Sequence, residues 1–145
     1  MADKEVALIV GAGEGLSASL TRLCAQQGMD VAVAARNPDK LADLCAETGA
    51  TAYACDMIDE ASVDALYDAV VAEKGVPNLV VYNPSARARG PITELDREAV
   101  KNAVLITCYG GFVVAQKAAE LMLKRGNGTI LFTGASASVK GYPNS

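Results

Sequence analysis

Three glycines, Gly11, Gly13 and Gly15, stand directly behind the apolar run Val6-Ala-Leu-Ile-Val10. A loop that leads from a buried strand into a helix aims the unpaired helical N–H groups at whatever lies above the strand. Glycine there lets an anion approach the backbone closely. The chemistry such a stretch offers is the cradling of a phosphate. Arg36, at the end of the next apolar run, is placed to pair with a phosphate, bidentately where geometry allows. Histidine is absent from the 145 residues, so no histidine base, triad or metal cluster lies within this sequence. Cys24, Cys45, Cys55 and Cys108 are scattered without a C-x-x-C pair and read as small buried apolar side chains, with no metal site expected.

The elements that would position these residues alternate. Five short apolar runs, Val6–Val10, Val31–Ala35, Thr51–Cys55, Leu79–Tyr82 and Thr129–Phe132, read as strands. Between them lie helical patterns. Leu16, Leu20, Leu23 and Cys24 share one face; Leu41, Leu44, Cys45 and Thr48 another; Val63, Leu66, Tyr67 and Val70 a third. The longest helix is expected from Arg97 to Lys124, with Gly110-Gly111 in its middle. Asn37-Pro38 reads as a cap with proline in the first helical position, and Gly28, Gly49 and Gly126 as helix ends. Strands apolar throughout, each followed by a helix, imply an α/β fold: a doubly wound parallel sheet covered on both faces. Right-handed crossovers then favour the strand order 3-2-1-4-5, with a ligand at the switch point beside strand one.

Composition bounds the rest. At 51% hydrophobic and 21% charged, residues 1–145 can bury one core, and a single domain is expected. The net charge of −4 and the want of any basic cluster argue against nucleic acid. The start leads into an apolar run too short for a secretory signal, and no run approaches the length of a membrane span. The expected compartment is the cytoplasm.

Spacing distinguishes the kinds of glycine loop. The fingerprint G-x-G-x-x-G fails at its third glycine, because Leu16 stands there. Methyltransferase loops usually want an acid at the end of strand two, where this sequence has Ala34-Ala35-Arg36-Asn37. The spacing G-x-x-x-G-x-G matches at Gly11 and Gly15, with Ser17 in the last place. At these residues the sequence resembles the short-chain dehydrogenase/reductase family. Val10-Gly-Ala-Gly-Glu-Gly-Leu-Ser17 looks like the family's cofactor loop. Asp56-Met57 follows strand three where the family places an Asp on the adenine. Tyr82-Asn83-Pro84-Ser85 looks like a varied Asn-Asn-Ala-Gly turn. Gly128 to Ser138 resembles the fifth strand and its serine segment.

The resemblance covers the whole chain and implies a Rossmann-type sheet. It also implies hydride transfer between a nicotinamide cofactor and a small-molecule carbonyl or alcohol, and a homo-oligomer. The cofactor-binding residues it implies are Gly11, Gly13, Glu14, Gly15, Leu16, Arg36, Asp56, Met57, Asn83 and Ser85. Several positions depart from the family's pattern. Ser17 replaces a glycine and Tyr82 an asparagine. Thr107 stands where the family has an Asn that supports a proton relay. The substrate-orienting serine falls on Ala135, which leaves Ser136, one residue later, as the candidate, with Thr107 beside it in the catalytic set. The family's Tyr-x-x-x-Lys is missing from the sequence: the fourth residues after Tyr53, Tyr67, Tyr82 and Tyr109 are Met57, Val71, Ala86 and Val113. The sequence therefore looks like the N-terminal half of such an enzyme, truncated after strand five and inactive alone, or else a dinucleotide-binding module without catalysis. With Arg36 in place of an acid, NADP is expected ahead of NAD, although Glu14 sits where NADP-binding members often carry a basic residue. Arg87 and Arg89 lie near the expected mouth of the site, either solvated or meeting an anionic substrate.

Overall fold

The computed structural model describes residues 4–142, so the start Met1-Ala2-Asp3 and the end Pro143-Asn144-Ser145 lie outside the described residues. Five strands form one parallel sheet in the order β3-β2-β1-β4-β5: β1 (Val6–Val10), β2 (Asp30–Ala35), β3 (Thr51–Ala54), β4 (Leu79–Tyr82) and β5 (Thr129–Phe132). The order is the one expected from the alternating pattern. Central β1 pairs Val10 with Ala34 on one side and with Tyr82 on the other, so the loops after β1, β2 and β4 leave the sheet at one level. Pairing, not hydrophobicity, sets two strand ends differently from the sequence reading. Asp30 joins β2 opposite Val6, its charge met by Lys74 Nζ at 2.6 Å, while Cys55 makes one bond to the Ala35 carbonyl and leaves the ladder.

Every residue of β1 is buried, because alternate side chains serve two cores. Val6, Leu8 and Val10 pack with Val63, Leu66, Tyr67 and Val70 of α3 (Glu60–Glu73), and with Val114, Ala118 and Met122 of a later helix. Ala7 and Ile9 pack on the other face with Cys24 of α1 (Leu16–Gln26) and with Leu41, at the end of a short 3-10 turn that runs into α2 (Ala42–Thr48). The inward face of α1 is a correction to the sequence reading. Ser17, Ala18, Thr21 and Cys24 are buried, whereas Leu16 and Leu23 point outward at 52% exposure each. Small side chains win because α1 must approach the sheet closely enough to hold the glycine loop.

The long helix is interrupted. It consists of α4 (Arg97–Val104), a π-helical turn at Leu105–Tyr109 and α5 (Gly110–Arg125). Across Arg97–Arg125 it is long and apolar enough, by length and composition, to cross a membrane, which the sequence reading did not foresee. Gly110, Gly111, Val114, Ala118 and Met122 are its buried residues. The cysteine expectation also needs correcting: Cys24 and Cys55 are buried and Cys45 is half-buried, but Cys108 is exposed on the π turn. Asn37 caps as expected, its Oδ1 accepting from the Asp39 N–H at 3.2 Å, and Gly28, Gly49 and Gly126 have positive φ after their helices.

Candidate functional site

A cavity of about 800 Å³ opens over the carboxyl ends of β1, β2 and β4. Its first wall is the loop after β1. The Ala34 carbonyl accepts the N–H groups of Gly11 and Ala12, each at 2.9 Å, which folds the loop back over β2. Gly11 has φ +79°, and a Cβ there would lie 2.5 Å from Cγ of Pro84. The Pro84 ring thus fixes residue 11 as glycine from the neighbouring strand. Ser17, 1% exposed, takes the place of the third glycine and ties the loop to the helix. Its Oγ accepts from the Gly13 N–H at 3.0 Å and donates to the Gly13 carbonyl at 3.3 Å. No side chain caps the N-terminus of α1, so its first-turn N–H groups have neither a cap nor an intrahelical acceptor.

Gly11, Gly13, Glu14, Arg36, Met57, Asn83 and Ser85, all expected from the sequence, line this one cavity. Gly15, Leu16 and Asp56 do not. Gly15 is the N-cap of α1 and turns the chain into it at φ +85°. Leu16 projects from the first turn into solvent. The Asp56 carboxylate folds back onto the Ile58 N–H at 3.2 Å, closing its own turn. Asn37, Lys40, Pro84, Asn102 and Ile106 are among the lining residues that were not anticipated. Lys40 carried a signal, because it follows Arg36 by four residues behind the Asn37-Pro38 cap. Neither Arg36 nor Lys40 has an ion-pair partner among the described residues, and Glu14 is the one acid among the described residues lining the cavity.

The far wall depends on Tyr82. This residue is 3% exposed, and burial pushes its phenol up to about 12. Its hydroxyl donates to the Ile106 carbonyl inside the π turn. Here a π turn, a helical form often found at functional sites, offers a carbonyl to a side chain from the sheet. A Cβ on Gly110 would lie 2.5 Å from the same hydroxyl and 2.9 Å from the Met57 carbonyl, so the helix can come this close only on glycine. One residue past Ile106, Thr107 Oγ1 accepts from the Ala86 N–H at 3.3 Å and lies 3.4 Å from the Ala86 carbonyl, to which it donates. Asn83 Oδ1 accepts from Thr133 Oγ1 at 2.7 Å, which joins the segments after β4 and β5.

A second cavity of about 790 Å³ shares Ala86 with the first. Arg87, Arg89, Ile92, Leu95, Val100, Val104, Ser136 and Tyr142 are among its lining residues. The two residues expected to be catalytic therefore separate. Ser136 lines the second cavity, and Thr107 lines neither but holds the backbone of the residue common to both. Ser136 Oγ lies 2.7 Å from Tyr142 Oη, and Lys140 Nζ sits 5.1 Å from the centre of that ring. The bond to Ser136 first, and Lys140 second, hold the Tyr142 phenol below its ordinary value. Among the described residues no group of three acidic, histidine or cysteine side chains is placed to hold a metal.

The short chain dehydrogenase model matches residues 5–145. The chain belongs to this family. D-threitol dehydrogenase of Mycolicibacterium smegmatis is 30% identical over 141 residues, covering 94% of this chain and 54% of its own length. The chain thus spans about half the length of the curated relatives it matches. Actinorhodin polyketide ketoreductase, solved as a point variant with NADPH, superposes with a TM-score of 0.92 at 28% identity over 97% of this chain and 57% of its own. The 3-ketoacyl-(acyl-carrier-protein) reductase of Brucella melitensis, complexed with NADH, is alike in fold, with a TM-score of 0.90 at 24% identity over 98% of this chain and 62% of its own. Members of this fold are thus seen with either dinucleotide.

Proposed function

We propose that this short chain dehydrogenase chain binds NADP(H) in the first cavity and serves an oxidoreductase acting on a small-molecule carbonyl or alcohol. The observation that carries the reading is the pair Arg36 and Lys40, two exposed cations on the cavity at the end of β2. Ala35-Arg36-Asn37 presents no carboxylate to a ribose 2′-hydroxyl, whereas a guanidinium and an ammonium suit a 2′-phosphate. NAD is the second choice, and Glu14 is the charge that favours it. The bound dinucleotide would supply the hydride. This chain's residues would hold its phosphates on the α1 N-terminus, its 2′-phosphate on Arg36 and Lys40, and its far end beside Ala86. Gly15 and Leu16 would act through the backbone of the loop, and Asp56 from the turn after β3. Ser136 and Thr107 belong to the reaction end, Ser136 by its hydroxyl and Thr107 by fixing Ala86.

On this reading the protein works in the cytoplasm, and as a homo-oligomer, for which the exposed Phe112 and Leu123 of the long helix speak. Residues 1–145 contain no Tyr-x-x-x-Lys, and on their own they should give little or no turnover. Fluorescence titration of NADPH and NADH against the protein and its Arg36→Asp variant tests the cofactor reading. NADPH affinity should fall roughly tenfold or more, the value of a charge-assisted pair, with NADH little changed. Equal loss for the two removes Arg36 from its assigned role on the 2′-phosphate. Binding of neither by the unaltered protein ends the dinucleotide reading, and binding without any carbonyl reduction by the protein as encoded marks a binding module.

A further inference from the structure

The second cavity has a charge asymmetry that dinucleotide binding leaves unused. Ile92, Leu95, Val100 and Val104 give it apolar walls. Arg87 and Arg89 line it too, two residues apart on the segment that follows β4. Neither guanidinium has an ion pair or hydrogen bond among the described residues. No aspartate or glutamate lines the cavity among the described residues. Two neighbouring cations without an internal counter-ion, set against an apolar wall, leave a site whose best-matched occupant carries an anion on an apolar body. A guanidinium fork fits a carboxylate in particular, because its paired N–H groups meet the two oxygens in one plane.

We propose that the second cavity takes a carbonyl or alcohol substrate with an apolar body and a carboxylate end, and that Arg87 and Arg89 hold the carboxylate. The proposal rests on the oxidoreductase reading, since the junction at Ala86 is what would bring such a molecule to the dinucleotide. Arg89 follows Ala86 by three residues, at most about 10 Å of extended chain, so both cations stand on the segment that leads out of the junction. Ser136 and Tyr142 place a hydroxyl pair in the same cavity, where a carbonyl oxygen needs donors.

The test compares 4-oxocyclohexanecarboxylate with its methyl ester, which keeps the ring and the ketone and removes the charge. Dissociation constants are read by ligand-observed NMR on the protein as encoded and on the double variant Arg87→Gln/Arg89→Gln. The exposure of these side chains makes the variant's melting curve a sufficient check on folding. The acid should bind roughly tenfold more tightly than the ester or better, the usual worth of a charged hydrogen bond. The double variant should lose that preference and leave ester binding and NADPH binding unchanged. Equal binding of acid and ester by the unaltered protein, binding of neither, or a preference that survives in the variant would overturn the proposal. An NADPH titration on the same samples reports separately on the dinucleotide reading, so the two can fail independently.

Discussion

The walls of the two cavities grow from strands of equal role but opposite burial. β1, which carries the glycine loop, is flanked by β2 and β4 and covered on both faces, and Ile9 and Val10 are wholly buried. β5, which leads to Ser136, has one neighbour, and Leu131 and Phe132 are 49% and 59% exposed. The wall of the first cavity is accordingly positioned by the core itself. The wall of the second cavity is held by a few polar ties, among them Thr107 to Ala86 and Thr133 to Asn83. The wall of the first cavity thus rests on residues that the fold cannot spare, and the wall of the second on more exposed ones.

Substitution at Gly11 presses hardest on that contrast. Gly11→Ala combines a positive φ with a collision against Pro84, and its cost should reach about 4 kcal/mol from backbone strain and overpacking together. A urea midpoint close to that of the unaltered protein would mean the loop is not locked to β4. Tyr82 comes next. Tyr82→Phe leaves the Ile106 carbonyl without its donor and should cost about 1–2 kcal/mol. Gly110→Ala should then cost less in the Tyr82→Phe background than in the unaltered protein, because the hydroxyl nearest the new methyl is gone. Additive losses would show that hydroxyl and helix do not meet.

The same tyrosine gives a pH signature. Its folded value of about 12 lies above its ordinary 10.0, so folding favours the neutral phenol. That stabilisation is complete below pH 10 and is lost as pH rises through 12. Tyr82→Phe should therefore flatten, though not abolish, the fall in urea midpoint over that window, since burial also raises Tyr53 and Tyr67. The smallest effect is expected on β5. Leu131→Ala should cost below about 1 kcal/mol, as for a half-exposed side chain. A loss of several kcal/mol would show that something covers this strand in the working protein, and would close the gap between the two walls.

Much of the first cavity's wall was legible because it is written in near neighbours. An apolar run, three glycines and a helix start are consecutive, and Arg36 marks the end of the next run. The parallel order followed from strands apolar on both faces, which only a doubly covered sheet can bury. Two expected residues lie off the cavity lining, where backbone turns redirect the side chain: Leu16 faces solvent and Asp56 closes its own turn. Ser17, which the sequence shows only as a replacement for glycine, binds the loop through its Oγ.

By itself, then, the sequence determined the alternation of strands and helices, the phosphate-type loop and the family likeness, since each depends on residues a few positions apart. Only the tertiary structure decided that Pro84 rests on Gly11, that Tyr82 reaches the π turn at Ile106, and that Asn102 and Ile106 of the long helix close the first cavity. It alone showed that two cavities join at Ala86. These contacts join residues as much as 73 positions apart, as from Gly11 to Pro84. They exist because strand register and helix packing bring those residues together, and no local spacing encodes either.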